Sequence, residues 1–423
     1  MRFAVVTLGS AGDLHPFLAI ARELVRRGHQ VTLLSQAPYE GQSLAEGVPF
    51  QSVADTAAHE RTLKHPLLWH PLHGFGVLWR HLAVPAIGPT CEILGELAHG
   101  SAQEGLTVLA SPLAAGARFA RERWPGRVRL LSGYTAPMGL RSIEDPMFLG
   151  AWQIPNWAPP PLRRALWHLL DRWKLEPMSQ PALRRWQREW QTPSIQTSAF
   201  GDWLHSPDGG VALYPEEFAS VPMNWRQRGV VQTGFPLFEP SQVPSQPAAL
   251  AEFTSRHPRY VLVYPGSAAA AAARFTDLVL PACRQLGLAA IVLSPHLHRD
   301  SHQGIQEASD VLAIEQAPLG QLLSGAAAFV HHGGIGSVAQ ALRHRVPQLV
   351  LASAYDQFEN GSRVARLRAG DWMPLRHAST TKVAGRLGNQ LSPPTLTALD
   401  SRPPQWPLIT PSATRTCAYL ERA

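Results

Sequence analysis

Residues 329–337 read Phe-Val-His-His-Gly-Gly-Ile-Gly-Ser, and apolar residues at helical spacing follow them. This order predicts a buried strand, a glycine turn and the start of a helix. The first peptide N–H groups of a helix lack partners within the helix, and the positive end of the helix dipole attracts anions. The segment therefore predicts an anion site, formed by the backbone N–H groups of Gly334, Gly336 and Ser337 and by the Ser337 hydroxyl.

Polar side chains around this turn indicate a nucleotide-sugar site rather than a bare phosphate loop. Two histidines end the strand, and Asp356 and Gln357 follow the next strand, where they could bind phosphate and sugar hydroxyls. Residues 334–339 also fit the dinucleotide-binding pattern G-x-G-x-x-A, with Asp356 near the position of a ribose-binding acid. Asp356 stands in a loop directly beside Gln357, so we favour the nucleotide-sugar interpretation.

A second β-α-β pattern begins the chain. Residues 3–8 form a short apolar run typical of a buried parallel strand, residues 9–13 form a tight loop, and helical spacing continues from Pro16 to Gly28. The loop lacks the lysine of a phosphate-binding loop. It offers one carboxylate, Asp13, at the end of a strand where α/β sheets place their sites. Asp13 is either a catalytic base or a helix cap.

These segments resemble a known family, the inverting glycosyltransferases of the glycosyltransferase-B fold, whose branch includes antibiotic, macrolide and sterol glycosyltransferases. The resemblance rests on residues 9–17, 26–31, 332–334 and 356–357. The chain resembles most closely the rhamnosyltransferase of rhamnolipid biosynthesis, at residues 68–69, 75–79, 205–207, 233–238 and 317–320. The resemblance covers about residues 1–375. It implies an α/β protein with two Rossmann-like domains that face each other across a cleft.

The resemblance also implies an activity. It predicts a metal-independent inverting transferase that moves rhamnose or another hexose from dTDP or UDP to a hydroxyl group. The acceptor would be hydrophobic, such as a hydroxy-fatty acid lipid or a secondary metabolite. In this family the acid of Gly-Asp-x-x-Pro, here Asp13, takes the proton of the acceptor hydroxyl. Relatives with a histidine base pair it with a second acid, and the corresponding position here is Ser111, so Asp13 would act directly.

The remaining site residues are assigned through the resemblance. His332 matches the phosphate-binding histidine of the family, but the rhamnolipid relative has proline there, so His331 remains an alternative. The diphosphate is assigned to Gly266, Ser267, Gly334, Gly336 and Ser337, and the donor sugar to Asp356 and Gln357. The nucleoside is assigned to Ala317, Leu319 and Gln340, and the acceptor to His15, Trp69, Phe75 and Trp79.

The identity of the donor depends on two signals that disagree. The amide of Gln340 could hydrogen-bond ribose hydroxyls, which favours a uridine donor, unless Gln340 lies on the solvated face of its helix. The rhamnolipid relative instead uses a thymidine donor. Because the resemblance of the whole chain samples many more positions than one glutamine, we favour thymidine diphosphate with a deoxysugar.

Composition excludes several classes of protein. The chain has 423 residues, 45% of them hydrophobic, enough for two cores, and no apolar run long enough to span a bilayer. Its first residues form a strand rather than a signal peptide. The three cysteines lie far apart, as expected of buried thiols in a cytoplasmic protein. The net charge of +7 suits an anionic substrate or a membrane surface, and no nucleic-acid-binding motif is present.

We expect no metal and no other cofactor. The sequence contains no D-x-D acid pair. Two groups of histidines have ligand-like spacing, at positions 296, 298 and 302 and at positions 65, 70 and 73. Neither group has the strand-and-turn frame or the cysteine partners of a zinc site.

Composition also suggests the domain boundaries. We predict an acceptor-binding domain at 1–235, a proline-rich linker at 236–258, a nucleotide-sugar-binding domain at 259–400, and a tail at 401–423 that ends in a helix crossing back to the first domain. Residues 152–225 hold eight of the thirteen tryptophans, interleaved with arginines. In one interpretation these residues pack on the first domain. In the other they form an aromatic wall around the acceptor, or a surface that binds anionic lipid at the inner face of the membrane.

Two other functions remain open at this stage. A nucleotide-sugar epimerase on the same fold would release a changed sugar without an acceptor. A catalytically silent relative would instead bind and activate a partner glycosyltransferase. The sequence leaves the oligomeric state open.

Overall fold

The computed structural model describes residues 1–100, 105–145, 147–155, 157–241, 248–266, 269–294, 309–400 and 412–422. Within these ranges the protein forms two compact units. The first comprises Met1–Phe238 together with the C-terminal helix, and the second begins at Glu239. No helix in the described ranges combines the length and the apolar composition needed to cross a membrane.

The first unit is built on a seven-stranded sheet in which all neighbouring strands are parallel, in the order β3-β2-β1-β4-β5-β8-β9. Its strands, with the separate antiparallel hairpin of β6 and β7, are β1 Arg2–Val6, β2 Gln30–Gln36, β3 Phe50–Ala54, β4 Leu106–Ala110, β5 Val128–Tyr134, β6 Phe148–Leu149, β7 Trp152–Gln153, β8 Gly210–Ala212 and β9 Val230–Gln232. Buried apolar clusters cover both faces of this sheet, which explains the continuous apolar runs of its central strands.

Helices surround this sheet. They are α1 Ala11–Arg26, α2 Glu40–Ala45, α3 Thr56–Leu63, α4 Gly74–Leu78, α5 Val84–His99, α6 Ala115–Arg123, α7 Pro160–Leu170, α8 Glu176–Trp190, α9 Met223–Arg226 and the C-terminal α17 Ser412–Arg422. Short 3-10 segments lie at Ala37–Tyr39 and Pro137–Gly139, and π-helical segments at Trp79–Ala83, Asp171–Leu175 and Ala199–Trp203.

The second unit has a six-stranded parallel sheet in the order β12-β11-β10-β13-β14-β15. Its strands are β10 Tyr260–Tyr264, β11 Ala289–Leu293, β12 Val311–Ile314, β13 Ala326–His331, β14 Gln348–Ala352 and β15 Gly370–Pro374. Its helices are α10 Ala248–Arg256, α11 Ala269–Gln285, α12 Leu319–Leu323, α13 Ile335–Arg343, α14 Gln357–Arg366, α15 Thr380–Gln390 and α16 Pro393–Asp400, with a 3-10 segment at Leu375–His377. Apolar clusters again cover both faces.

In both sheets the order in which successive strands are added reverses beside the first strand, between β1 and β4 and between β10 and β13. Open α/β sheets bind ligands outside the carboxyl ends of the strands at such a switch point. Asp13 lies in the first turn of α1, shortly after β1, and the turn at His332 follows β13, so each lies at the switch point of its own sheet. The prediction of two Rossmann-like α/β domains is confirmed.

Two local predictions are wrong. The first helix begins at Ala11 rather than near Pro16, because Ser10 caps it and Asp13, in its first turn, bonds back to Ser10. The predicted linker at 236–258 is helical over Ala248–Arg256, because Leu250 and Phe253 are buried in the core of the second unit.

The C-terminal helix packs on the first unit. Glu421 accepts hydrogen bonds from Arg27 and His29, and the Ser412 hydroxyl donates to the carbonyl of Gly234. Cys417 and Leu420 complete the apolar cluster around α1. These contacts explain why the last helix belongs to the first unit although it follows the second along the sequence.

Candidate active site

Asp13 lies at the start of α1, where the local sequence holds its carboxylate in place. The backbone N–H and the hydroxyl of Ser10 both donate to Oδ2 of Asp13, at 2.8 and 3.0 Å. Among the described residues, Oδ1 has no hydrogen-bond partner. Gly9 has a φ of +141°, and a Cβ there would lie 2.7 Å from the Asp13 Cγ, so only glycine fits beside this carboxylate.

The surroundings of Asp13 favour its protonated form. Burial raises the pKa of the Asp13 carboxyl, and the hydrogen bonds from Ser10 oppose that effect. A raised pKa makes the carboxylate a stronger base for an acceptor proton. Asp13 is thus both a helix cap, through Oδ2, and a carboxylate at the switch point with Oδ1 available.

His15 follows Asp13 by two residues in α1. Unlike Asp13, it is a neutral, well-packed side chain. Its Nε2 lies 3.1 Å from the Gln42 amide nitrogen, and its ring stacks on Phe238 at 4.9 Å. Burial lowers the pKa of His15 to about 4. The Gln42 amide therefore donates to Nε2, and His15 has the character of a wall rather than of a proton acceptor for a substrate.

The aromatic residues assigned to the acceptor have different environments. Trp79 is fully buried in the core of the first unit, with its ring 5.0 Å from that of Phe200, so the prediction that it contacts the acceptor is wrong. The helical segments at 74–83 place the Trp79 side chain on their buried face, towards the core of the first unit. Phe75 is half-buried, with its ring edge on Phe200, and Trp69 is half-buried, so both keep some exposed surface.

In the second unit, His331 is a structural residue. It is fully buried at the end of β13, its Nδ1 accepts from the N–H of Gly333 at 3.2 Å, and its Nε2 lies 3.0 Å from the Gln348 side-chain oxygen. The ring also stacks on Phe329 at 4.3 Å. Burial lowers the pKa of His331 to about 3. Both ring nitrogens are used within the core, so His331 has no donor left for a ligand.

His332 has the opposite character. Its half-buried ring lies between Gly266 and Gly334, where added Cβ atoms would come within 2.8 Å of Nδ1 and 2.5 Å of Nε2. Nδ1 is buried and has no hydrogen-bond partner among the described residues. Burial lowers the pKa of His332 to about 4, so the ring is neutral near pH 7. A neutral ring with its proton on Nδ1 presents one oriented donor at the switch point.

The helix α13 begins beside this ring. Gly334 is its N-cap residue, and Ile335, Gly336 and Ser337 form the first turn, whose N–H groups have no partners within the helix. Ser337 is buried at the third helical position. The predicted donors at Gly334, Gly336 and Ser337 therefore lie together with His332 and Gly266. Ser267 lies outside the described residues.

The predicted sugar-binding pair adjoins this turn. The side-chain oxygen of Gln357 accepts from the backbone N–H groups of Ser353 and Ala354, at 2.8 and 3.1 Å, and so shapes the loop before α14. A Cβ on Gly333 would lie 3.2 Å from the carbonyl oxygen of Gln357, so the two turns touch. Asp356 is half-buried at the N-cap of the same helix.

Asn360, which the sequence reasoning missed, joins the two turns. Its buried amide nitrogen donates to the Gly333 carbonyl at 3.0 Å and to the Asp356 carboxylate at 2.7 Å. The side chain thus sets the position of the assigned sugar-binding acid relative to the assigned phosphate turn. Its place four residues after Asp356 on a helix is the signal that could have revealed it, because such residues share a helix face.

The residues assigned to the nucleoside also adjoin one another. Gln340 is buried, so it does not lie on the solvated face of α13, and its side-chain oxygen has no partner among the described residues. That oxygen lies 3.8 Å from the place of a Cβ on Gly320, in the first turn of α12. Ala317 and Leu319, just before and at the start of α12, are partly buried against the core.

The histidine groups with ligand-like spacing do not form a metal site in the described residues, where no three His, Cys, Asp or Glu side chains could hold an ion. The Nδ1 atoms of His65 and His70 instead accept backbone N–H groups of their own loop. The histidines at 296, 298 and 302 lie outside the described residues. The three cysteines are buried free thiols.

Two known domain families match this sequence, one near each end. Residues 3–123 match the glycosyltransferase family 28 N-terminal domain, and residues 288–415 match the erythromycin biosynthesis protein CIII-like C-terminal domain. Erythronolide mycarosyltransferase of Saccharopolyspora erythraea is 33% identical over 88 residues, which are 21% of this chain and 21% of that protein. The match thus spans about a fifth of that relative's length.

Solved structures are similar over the whole chain. The kitacinnamycin glycotransferase superposes with a TM-score of 0.72 at 19% identity, covering 100% of this chain and 98% of that one. The glycosyltransferase VinC in complex with dTDP superposes with a TM-score of 0.66 at 16% identity, covering 100% and 99%. These similarities show the glycosyltransferase-B fold. The two domain matches and the similarity to erythronolide mycarosyltransferase confirm the resemblance to antibiotic and macrolide glycosyltransferases. The closer resemblance to the rhamnosyltransferase of rhamnolipid biosynthesis stays a prediction.

Proposed function

We propose that this chain, a protein of the glycosyltransferase-B fold, is an inverting glycosyltransferase that moves a sugar from a nucleoside diphosphate to a hydroxyl of a hydrophobic acceptor. The observation that carries the proposal is the His332 ring, held between two glycines with an unpartnered Nδ1 beside the start of α13. An oriented neutral donor next to free helix N–H groups suits a diphosphate. The similarity to antibiotic glycosyltransferases supports the same chemistry.

In the proposed mechanism, the sugar is displaced in line at its anomeric carbon. The Asp13 carboxylate takes the proton of the acceptor hydroxyl while the oxygen of that hydroxyl bonds to the anomeric carbon. The bond from that carbon to the diphosphate oxygen breaks, and the electron pair leaves with the diphosphate. The configuration at the carbon is therefore inverted. A positioned general base typically contributes about 10²–10⁴-fold to such a rate.

The second unit would bind the leaving group. The N–H groups at the start of α13, the Ser337 hydroxyl and His332 Nδ1 would donate to the diphosphate oxygens, with Gly266 and Ser267 at the neighbouring loop. Removing one preorganised donor of this kind costs about 3 kcal/mol at the transition state. These groups stabilise the developing negative charge, so the proposal includes no metal ion.

The donor sugar would contact Asp356 and Gln357, and the nucleoside would lie near Ala317, Leu319 and Gln340. We propose thymidine diphosphate with a deoxysugar such as rhamnose as the donor, and a hydroxy-fatty acid lipid or a secondary metabolite as the acceptor. The VinC structure, which holds dTDP, supports a thymidine donor by similarity. His15, Trp69 and Phe75 would lie on the acceptor side, and the enzyme would act at the inner face of a membrane.

Product analysis tests this proposal. The purified protein is incubated with dTDP-rhamnose or UDP-glucose, with and without a hydroxy-fatty acid acceptor, and the products are identified by mass and by anomeric configuration. We expect a glycosylated acceptor of inverted configuration only when the acceptor is present. A changed sugar released without an acceptor would identify an epimerase. Absence of donor turnover, with activation of a second glycosyltransferase, would identify a silent partner protein.

The role of Asp13 requires its own variant. Asp13→Asn keeps the shape of the side chain and an oxygen that can cap α1, but the amide cannot take a proton. We expect transfer to fall by about 10²-fold or more with an unchanged circular dichroism spectrum. Near-normal transfer by the folded variant would remove Asp13 from the mechanism.

A further inference from the structure

The helix α7 carries a surface that the proposed chemistry does not use. Trp157, before the helix, is 81% exposed, and Trp173, after it, is 72% exposed. Leu162 and Leu169 are exposed on the helix between them. Large apolar side chains are normally buried, so a group of four exposed ones within seventeen residues indicates contact with something outside the protein.

The two exposed leucines share one edge of the helix. Successive residues of a helix are rotated by about 100°, which places Leu162 and Leu169 within about 20° of each other. Trp173 continues this edge into the π-helical segment. Arg164 and Arg172, both exposed, lie on the other part of the exposed half. The exposed half therefore has an apolar edge beside a basic edge, as in helices that lie in a membrane interface.

The charge of this surface is strongly biased. Asp171 is the only acid among residues 157–175, and Arg141 pairs with it at 2.7 Å. The Lys174 amine donates to the carbonyl of Leu72, whose own side chain is exposed. This contact places a further exposed apolar residue beside the end of the Lys174 side chain. The surface thus presents apolar side chains and arginines with no unpaired acid in this stretch, which complements an anionic, partly apolar partner.

We propose that this surface, formed by Trp157, Leu162, Arg164, Leu169, Arg172 and Trp173, binds an anionic lipid bilayer. The tryptophans would lie at the depth of the headgroups, where rings with an apolar body and a polar tip are favoured. The arginines would contact lipid phosphates. This inference refines the membrane location in the proposed function, but lipid binding does not depend on sugar transfer.

Sedimentation with vesicles tests the inference, with the whole protein and no sugar donor. The vesicles contain phosphatidylcholine alone or phosphatidylcholine with about 30% phosphatidylglycerol. We expect binding to the anionic vesicles that weakens as salt is raised. Because each basic residue near an anionic surface contributes about 1 kcal/mol, or about fivefold, Arg164→Gln with Arg172→Gln should weaken binding by about 25-fold.

The apolar edge is tested with a matched control. Trp157→Ser with Trp173→Ser should weaken vesicle binding at least tenfold. The control pair is Leu44→Ser with Met223→Ser, because these side chains are 56% and 59% exposed but lie outside the surface. The control should bind vesicles as the unsubstituted protein does. Circular dichroism of each variant verifies that it is folded.

Three results would overturn the inference. They are equal binding to the neutral vesicles, equal losses in the tryptophan variant and the control, and a dimer in solution that Trp173→Ser dissociates while no vesicles are bound. The last result would identify a second copy as the partner. Transfer to a detergent-solubilised acceptor should survive in the tryptophan variant, so a failure of lipid binding and a failure of transfer are distinguished.

Discussion

The substitution Gly334→Ala tests the assignment of His332 without altering the ring itself. Gly334 has φ −60° and ψ 142°, which alanine adopts without strain. A Cβ at this position would lie 2.5 Å from the His332 Nε2, so the ring must move. Ring displacement removes one oriented donor, worth about 3 kcal/mol at the transition state. Since 1.36 kcal/mol corresponds to a factor of ten, we expect transfer to fall by about 10²-fold.

A double-mutant cycle shows whether this loss acts through the histidine. Transfer is measured at saturating donor and acceptor for Gly334→Ala, His332→Ala and the double variant. If the added methyl group acts by displacing the ring, the double variant should be no slower than His332→Ala alone. The substitution also places alanine at the N-cap of α13, where glycine is preferred, and this should lower the unfolding free energy by about 1 kcal/mol. Thermal unfolding measures that cost separately.

The control is Gly385→Ala, on the same unit, where an added Cβ meets nothing within 4 Å. Alanine in the middle of α15 should stabilise the helix by about 1 kcal/mol and leave transfer unchanged. The reasoning is refuted if Gly334→Ala transfers sugar at the unchanged rate. It is also refuted if the double variant is slowed by the product of the two single effects, because His332 would then act independently of the clash.

Three further predictions concern the base, the missed asparagine and the nucleoside. Burial raises the pKa of Asp13, so on acidification the rate should begin to fall at a pH above the ordinary aspartate value of 3.8. A pH profile without this acidic limb would exclude Asp13 as the base. Asn360→Ala removes a hydrogen-bond donor from the buried Gly333 carbonyl and from the half-buried Asp356 carboxylate, so it should lower the unfolding free energy by about 1–3 kcal/mol. It should also raise the KM for the sugar donor more than it lowers kcat, and an unchanged KM would contradict a positioning role. Calorimetry should show tighter binding of thymidine than of uridine diphosphate, and a preference for the uridine ligand that Gln340→Leu abolishes would reverse our choice of donor.

Much of the fold can be predicted from local patterns in the sequence. The sequences that become β1 and β13 are continuously apolar rather than alternating, which indicates strands buried on both faces of a sheet. Each run is followed by glycines and a helical pattern. Parallel strands need helical crossovers, so this alternation specifies two β-α-β sheets. The turn at 333–337 follows β13 closely, and the acid–amide pair at 356–357 follows β14 after a short loop, so the sequence alone places both beyond the ends of neighbouring strands.

The sequence could not determine which of two adjacent histidines is available to a ligand. Neighbouring residues at a strand end point in opposite directions, but the sequence does not say which direction faces the core. The structure shows that Gln348, on the next strand, binds His331 and leaves His332 between two glycines. The same limit explains the error at Trp79, whose burial depends on packing against Phe200, distant in the sequence.

The amino-acid sequence by itself therefore determined the strands, the turns and the chemical groups at their ends, because these depend on neighbouring residues and on the period of the apolar pattern. Only the tertiary structure decided which polar atoms are consumed within the core and which remain without partners. Asn360 shows the reason, since its hydrogen bond to Asp356 spans one helical turn, whereas its hydrogen bond to Gly333 forms only after β13 and β14 pair and α14 packs beside them. Hydrogen bonds between separate segments are specific to the folded arrangement, and no local pattern encodes them.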